Sequence, residues 1–117
     1  MVSRDFLIAG GLMILGHISA WFATNSHAVS AWWVNKPLLA AFVFGVPTTI
    51  SFWYATIHGL RFFNNELWAV RFLGFGTSYL VFPVITWLML NESMLTYKTI
   101  TCIFLSFVIV CIQIFWR

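Results

Sequence analysis

The sequence predicts an all-α polytopic membrane protein, a bundle of four transmembrane helices in one domain. Of its 117 residues, 62% are hydrophobic and only 8% are charged, whereas ordinary globular domains carry about 25% charged residues. Six basic and three acidic side chains are too few to cover the surface of a water-soluble fold of this size. Those charges also leave four apolar stretches, each close to the roughly 20 residues that cross a bilayer as a helix.

The four predicted spans are residues 6–24, 37–60, 67–90 and 99–116. The fourth contains "CIFLSFVIVCIQIFW", which is apolar on all sides, whereas a strand of a membrane barrel alternates apolar and polar residues. Asn25 and Ser26 are expected to begin the first connection. Pro37 is expected in the first turn of the second helix, where its missing N–H does no harm. Asn64 or Asn65 is predicted to cap the third helix.

The basic residues predict how such a bundle inserts, because cytoplasmic loops carry an excess of Lys and Arg. Four arginines lie toward the end that carries both termini and two lysines toward the other end: Arg4, Arg61, Arg71 and Arg117 against Lys36 and Lys98. We therefore expect an integral protein of the plasma (inner) membrane with cytoplasmic termini, although so small an excess also allows insertion in both directions. Membrane lipids are its expected surroundings. The net charge of +3 reflects this pattern and is no argument for binding nucleic acid.

Polar and aromatic residues recur at helical spacing on three of the predicted helices. We expect these faces to turn inward and to line a small cavity, because outward they would meet lipid. The candidate substrate-binding or cavity residues are His17, Trp21, Ser51, Trp53, Tyr54, Arg71, Ser78 and Tyr79.

His17 and Arg71 are the strongest candidates for a functional role, because polar groups inside a membrane are costly unless they are paired or face a cavity. Arg71 either extends to the lipid headgroups, or points inward as an anion site or as a counter-charge for another subunit. His17 is expected to be neutral and hydrogen-bonded to another helix, with Ser51, Tyr54 or Ser78 as partner. Alternatively His17 relays protons, since none of the predicted spans contains a carboxylate.

The sequence contains no hydrolase, kinase, dinucleotide or metalloprotease motif, so we expect no enzymatic activity, no cofactor and no metal site. The two cysteines, Cys102 and Cys111, lie nine residues apart in one predicted helix. That spacing separates them by about 13 Å along the axis, which is too far for a disulfide. Both are expected to be packing residues.

The segment from Arg71 to Phe115 resembles the third and fourth helices of small multidrug resistance proteins, which belong to the drug/metabolite transporter superfamily. In "TWLMLNESMLTYKTITCIFLSFVIVCIQIF" a Trp precedes a short turn and a long apolar helix, as in that family. The "AWF" at positions 20–22 is similar to a pattern in the first helix of a branch of short, single-domain members. The resemblance implies a four-helix fold with the same topology.

Three positions depart from the small multidrug resistance pattern. Where that family has a glutamate in the middle of its first helix, this chain has Gly16 followed by His17. Arg71 occupies the position of a binding-site tyrosine. The fourth helix lacks the family's glycines, and only Cys102 and Ser106 form a pair of small residues at a spacing of four. The drug-binding site of the family therefore does not carry over.

Two functions follow as expectations. One is a transporter that moves a small solute through a cavity, acting as an oligomer, most simply a homodimer, because four helices are few to enclose a pathway. The other is a non-catalytic accessory subunit of a larger membrane complex. Polar faces in register favour transport, whereas the missing carboxylate and the glycine-free fourth helix favour the accessory role.

Overall fold

The computed structural model describes residues 4–92 and 95–116, and all regular secondary structure within them is helical. Within these residues, four helices are long and apolar enough to cross a membrane: α1 (Arg4–Val29), α2 (Pro37–Phe62), α3 (Leu67–Leu90) and α4 (Tyr97–Phe115). A single 3₁₀ turn, Ala31–Trp33, lies between α1 and α2. The all-helical class and the number of long apolar helices agree with the prediction.

The predicted third span has the same ends as α3, whereas the predicted first span stops before the end of α1. Asn25 and Ser26, which we expected in the connection, continue the helix to Val29. The Asn25 side-chain amide donates to the carbonyl of Trp21, 3.1 Å away, and Ser26 is buried. Both polar side chains are therefore accommodated inside the helix, and the turn moves toward the 3₁₀ segment.

Helix α1 lies at the centre of the bundle, with α2 on one side and α3 on the other, while α4 packs mainly against α3. Small residues permit the closest approaches. A Cβ on Gly16 of α1 would meet the Phe52 ring of α2 at 3.0 Å. A Cβ on Gly76 of α3 would overlap the Val110 side chain of α4. The shared core contains Met13, Ala55, Phe63, Ala69, Val70 and Leu73.

The first half of α2 departs from α-helical geometry just before Pro47. Residues Ala41–Gly45 form a π-helical turn, and Pro47 has no N–H to donate to the preceding turn. The hydroxyls of Thr48 and Thr49 donate to the carbonyls of Phe44 and Gly45 at 2.7 and 3.0 Å. The side chains that follow the proline thus satisfy backbone oxygens in the irregular turn.

The connection between α2 and α3 differs from the expected cap. Asn64 and Asn65 both have left-handed backbone, with φ of 55° and 67°, a conformation that asparagine tolerates better than most residues. Glu66 occupies the N-cap position of α3, and its side chain makes no capping hydrogen bond. The prediction of an asparagine cap is therefore wrong, because both asparagines are used to reverse the chain.

The outer surface of the bundle is apolar. Leu38, Phe42 and Phe104 expose well over half of their surface, and many other large hydrophobic side chains do the same. In the apolar 18-residue stretch of α4 only 6% of the residues are buried inside the chain, compared with 22% in the corresponding stretches of α1 and α3. Most of the hydrophobic side chains are thus arranged around the outside of the bundle.

Candidate functional site: a polar groove between three helices

A groove of about 470 Å³ opens between α2 and α3, with α1 as its floor. We call it the polar groove. Its polar lining consists of His17 from α1, Thr56 from α2, and Arg71 and Ser78 from α3. Among the apolar residues that complete the lining are Met13, Val70 and the rings of Phe52 and Phe75. The walls approach each other at one end, where a Cβ on Gly59 of α2 would lie 3.1 Å from Val70 of α3.

The side chain of His17 extends from α1, at the floor of the polar groove, to α3, which forms one wall. Its Nε2 lies 2.9 Å from the carbonyl oxygen of Gly74 and 3.1 Å from the hydroxyl of Thr77. Because a carbonyl can only accept, Nε2 carries the hydrogen and donates to Gly74. In a neutral ring the other nitrogen, Nδ1, then keeps a free lone pair. The ring also meets Phe52 of α2 edge-on, with centroids 4.9 Å apart.

The expected hydrogen bond between His17 and another helix is confirmed, but the expected partners are wrong. Instead of Ser51, Tyr54 or Ser78, the ring binds a backbone oxygen and the hydroxyl one position before Ser78. Gly74 has no side chain to cover its carbonyl, so the backbone is available to the imidazole. A search of the sequence for polar side chains alone could not find this acceptor.

Arg71 lies at the rim of the polar groove, one turn into α3. Its guanidinium carbon is 4.9 Å from the centre of the Phe75 ring, a distance within the range of a cation–π contact. No hydrogen bond or ion pair joins it to another residue in the described ranges 4–92 and 95–116. Arg71 also lines a neighbouring hollow of about 330 Å³ with Leu67 and Trp68. The guanidinium is thus held by a ring and lacks an anionic partner in the described chain.

Trp21 is buried between α1 and α3. Its indole N–H donates to the hydroxyl of Thr86 over 3.0 Å, and only 3% of the residue is exposed. Trp21 also borders a smaller hollow of about 160 Å³ that shares His17 and Ser78 with the polar groove. The residue therefore ties two helices together and forms part of the wall beside the groove.

Four of the candidate residues lie away from the lining of the polar groove. Trp53, Tyr54 and Tyr79 are 68%, 53% and 55% exposed, so within one chain they face away from the groove. Ser51 is half-buried and does not belong to the groove lining. The physical reason lies in α2, which packs with its Phe52, Ala55 and Gly59 face toward α1 and α3 and so directs Trp53 and Tyr54 outward.

The structure also joins two side chains that are distant in the sequence. His58 Nδ1 of α2 lies 2.8 Å from Asp5 Oδ1 of α1, and Arg61 Nη1 lies 3.9 Å from the same oxygen. Asp5 lies in the first turn of α1, and His58 lies close to the end of α2. Both lie near the same end of two helices that run in opposite directions, and that signal could have paired them.

A separate hollow of about 240 Å³ between α1 and α3 is apolar apart from one threonine, Thr77. Its lining includes Ile14, Ile18, Leu80 and Val84. Such a surface offers no group that could orient a polar ligand. The polar groove is therefore the better candidate for a functional site, since it combines a cavity with convergent polar side chains.

Comparison of the chain with protein-family models, with curated proteins and with solved structures finds no match.

Proposed function

We propose that this is an integral protein of the plasma (inner) membrane, in which all four helices cross the bilayer and both termini are cytoplasmic. The length and hydropathy of α1–α4 support this proposal, as does the apolar outer surface. Four crossings place both ends of the chain on one side. The excess of arginine at that end supports the orientation.

Cysteine labelling tests the topology. Asn35→Cys precedes α2 and Asn64→Cys follows it, so the two thiols should react with a membrane-impermeant maleimide from opposite faces of the membrane. Cys102→Ser and Cys111→Ser supply the cysteine-free background. If both introduced thiols react from the same face, α2 does not cross the membrane.

Within the membrane, the proposed function is transport of a small solute through the polar groove, in the manner of the drug/metabolite transporter superfamily. The observation that carries the proposal is the cavity itself. Its volume of about 470 Å³ falls in the roughly 300–1,000 Å³ range of ligand sites, and it extends from Arg71 near one end of α3 to His17 near the middle of α1. Polar side chains at such depth are a mark of a substrate or ion pathway.

Three of the polar side chains in the lining have proposed roles. Arg71 binds a negative or polar group of the solute, Ser78 offers a hydroxyl, and His17 offers the lone pair of Nδ1. Trp21 forms the wall beside Ser78. The polar groove is open on the side away from α1, so a homodimer or larger oligomer supplies the missing wall. Trp53, Tyr54 and Tyr79 belong to the cavity only if a second copy packs against them.

A non-catalytic accessory subunit of a larger membrane complex is the second candidate. The small buried share of α4 favours it, because a helix so little used within its own chain is free to pack against other subunits. The polar groove would then be a by-product of packing.

Purification in a mild detergent separates the two functions. Transport predicts that the protein elutes as a homo-oligomer, with a mass from light scattering that is a small multiple of 13.5 kDa. The accessory role predicts a fixed stoichiometry with other membrane proteins. Gly74→Leu is a useful blocking variant, because a Cβ at Gly74 meets nothing within 4 Å and the larger side chain would occupy the groove. Loss of transport in Gly74→Leu, with normal assembly, would support the groove as the pathway.

A further inference from the structure

We infer that the ligand of the polar groove is an amphipathic organic anion: a carboxylate or phosphate head bound at Arg71, an apolar body, and a second hydrogen-bonding group that reaches Ser78 and His17. The inference rests on the proposed function, because it takes the polar groove to be the substrate site. It narrows that function to one class of ligand.

The charge of the head follows from Arg71. Among the described residues, the lining contains one guanidinium and no acidic side chain, and none of these residues forms an ion pair with Arg71. The nearest acid along the chain, Glu66, precedes it by five residues at the N-cap of α3. A guanidinium presents two parallel N–H groups to a carboxylate or phosphate, and an uncompensated cation in a partly apolar cavity repels other cations.

The apolar body follows from the lining between Arg71 and the deeper polar groups. Val70, Phe75, Phe52 and Met13 present only carbon and sulfur to the groove. Thr56 adds a hydroxyl to the lining, but that hydroxyl already donates to the carbonyl of Phe52 at 2.8 Å. This part of the groove therefore favours a hydrocarbon segment.

The second polar group follows from Ser78 and His17. No hydrogen bond involves the Ser78 hydroxyl within the described residues, and His17 keeps the lone pair of Nδ1 while Nε2 donates to Gly74. Ser78 lies seven residues beyond Arg71, which corresponds to about 10 Å along α3. A purely hydrocarbon tail would leave both polar groups without a partner, which costs binding free energy.

The test measures binding of three probes to the full-length protein in phosphatidylcholine nanodiscs by isothermal titration calorimetry. The probes are 8-hydroxyoctanoate, octanoate and octyltrimethylammonium. We expect 8-hydroxyoctanoate to bind best, octanoate next and the cation least. Arg71→Gln should weaken both anions by about 10- to 100-fold, since a hydrogen bond to a charged group contributes more than a neutral one. Ser78→Ala should weaken only 8-hydroxyoctanoate, by about 2- to 10-fold.

Arg61→Gln is the matched control, because the Arg61 side chain is 63% exposed and lies outside the groove lining. It should bind all three probes as the native protein does. Binding of octyltrimethylammonium as tight as that of octanoate, or unchanged affinity in Arg71→Gln, overturns the inference. If the probes that bind the native protein no longer bind Gly74→Leu, the groove remains a ligand site and the proposed function stands. If no probe binds, or if Gly74→Leu leaves binding unchanged, the result counts against both the inference and the proposed function.

The anionic head could belong to a water-soluble molecule or to a membrane lipid, because the groove opens sideways between α2 and α3. Nanodiscs that contain phosphatidic acid distinguish the two sources. If this lipid competes with octanoate in the native protein and not in Arg71→Gln, the anion is a lipid headgroup. If it does not compete, the ligand is a soluble anion. Either result supports the inference, and competition that persists in Arg71→Gln contradicts it.

Discussion

Replacing His17 tests whether its contact with α3 is structural. The imidazole donates toward two oxygens, the Gly74 carbonyl at 2.9 Å and the Thr77 hydroxyl at 3.1 Å. His17→Leu removes the donor but isolates neither oxygen, because the Thr77 hydroxyl itself donates to the carbonyls of Leu73 and Gly74. Hydrogen bonds between membrane helices contribute about 0.6 kcal/mol on average and about 1.7 kcal/mol at most. We therefore expect His17→Leu to lower the free energy of unfolding by roughly 0.6 kcal/mol.

His17→Gln is the matched control, because its amide N–H can replace Nε2–H as the donor to Gly74. We expect it to stay within a few tenths of a kcal/mol of the native protein. The free energy of unfolding is measured by titration with sodium dodecyl sulfate in mixed micelles. Thr77→Val, alone and combined with His17→Leu, isolates the share of the energy that belongs to the His17–Thr77 pair. A His17→Leu variant as stable as the native protein, or one destabilised by more than about 3 kcal/mol, would refute this reasoning.

The same pair of variants addresses proton relay. If the role of His17 is structural, His17→Gln keeps assembly and most of the transport, and this is the outcome we expect. Glutamine cannot titrate, so a relay through Nδ1 would be abolished while the bond to Gly74 survived. Loss of pH-driven transport in a normally assembled His17→Gln variant would therefore show that the imidazole carries protons.

Two further predictions concern the contacts of α3. Gly76→Ala should lower the free energy of unfolding by about 1 kcal/mol, because the added methyl group overlaps the stiff β-branched side chain of Val110. Gly11→Ala is the control: its added methyl group meets nothing within 4 Å, so it should be neutral or slightly stabilising. Equal effects of the two substitutions on unfolding in mixed micelles would contradict the close packing of Gly76 against Val110. Trp21→Phe and Thr86→Val should each lower the free energy of unfolding, and a double-mutant cycle should show a coupling of about 0.6 kcal/mol between them. If the two effects are simply additive, the 3.0 Å hydrogen bond between Trp21 and Thr86 contributes nothing to stability.

The sequence predicts where the apolar helices lie better than where they end. Hydropathy marks the stretch that avoids water, and for α3 that stretch coincides with the helix. Helix ends depend on local hydrogen bonds instead. The Asn25 amide extends α1 by binding the carbonyl of Trp21, and the Thr96 hydroxyl begins α4 by accepting from the N–H of Thr99. Polarity alone suggested a turn at Asn25 and could not distinguish these uses.

Two of the candidate side chains on α3 line the polar groove, whereas those on α2 lie away from it. Arg71 and Ser78 lie seven residues apart, so two helical turns bring both to the same groove. On α2, the polar spacing of Ser51 and Tyr54 suggested the inward face, but close packing at Phe52 and Gly59 decides the rotation of the helix. Small residues permit close backbone approach, and this effect is stronger than the modest cost of a tyrosine at the surface of a membrane helix.

The adjacent residues Gly16 and His17 explain why the polar groove exists. Successive residues of an α-helix point about 100° apart, since a turn takes 3.6 residues. Gly16 seats the ring of Phe52 from α2, and His17 holds the carbonyl of Gly74 on α3, so α1 directs its two neighbours to different sides. The wedge between them closes where Gly59 meets Val70. A histidine in this apolar helix therefore fixes one wall of the cavity to its floor and contributes to the lining itself.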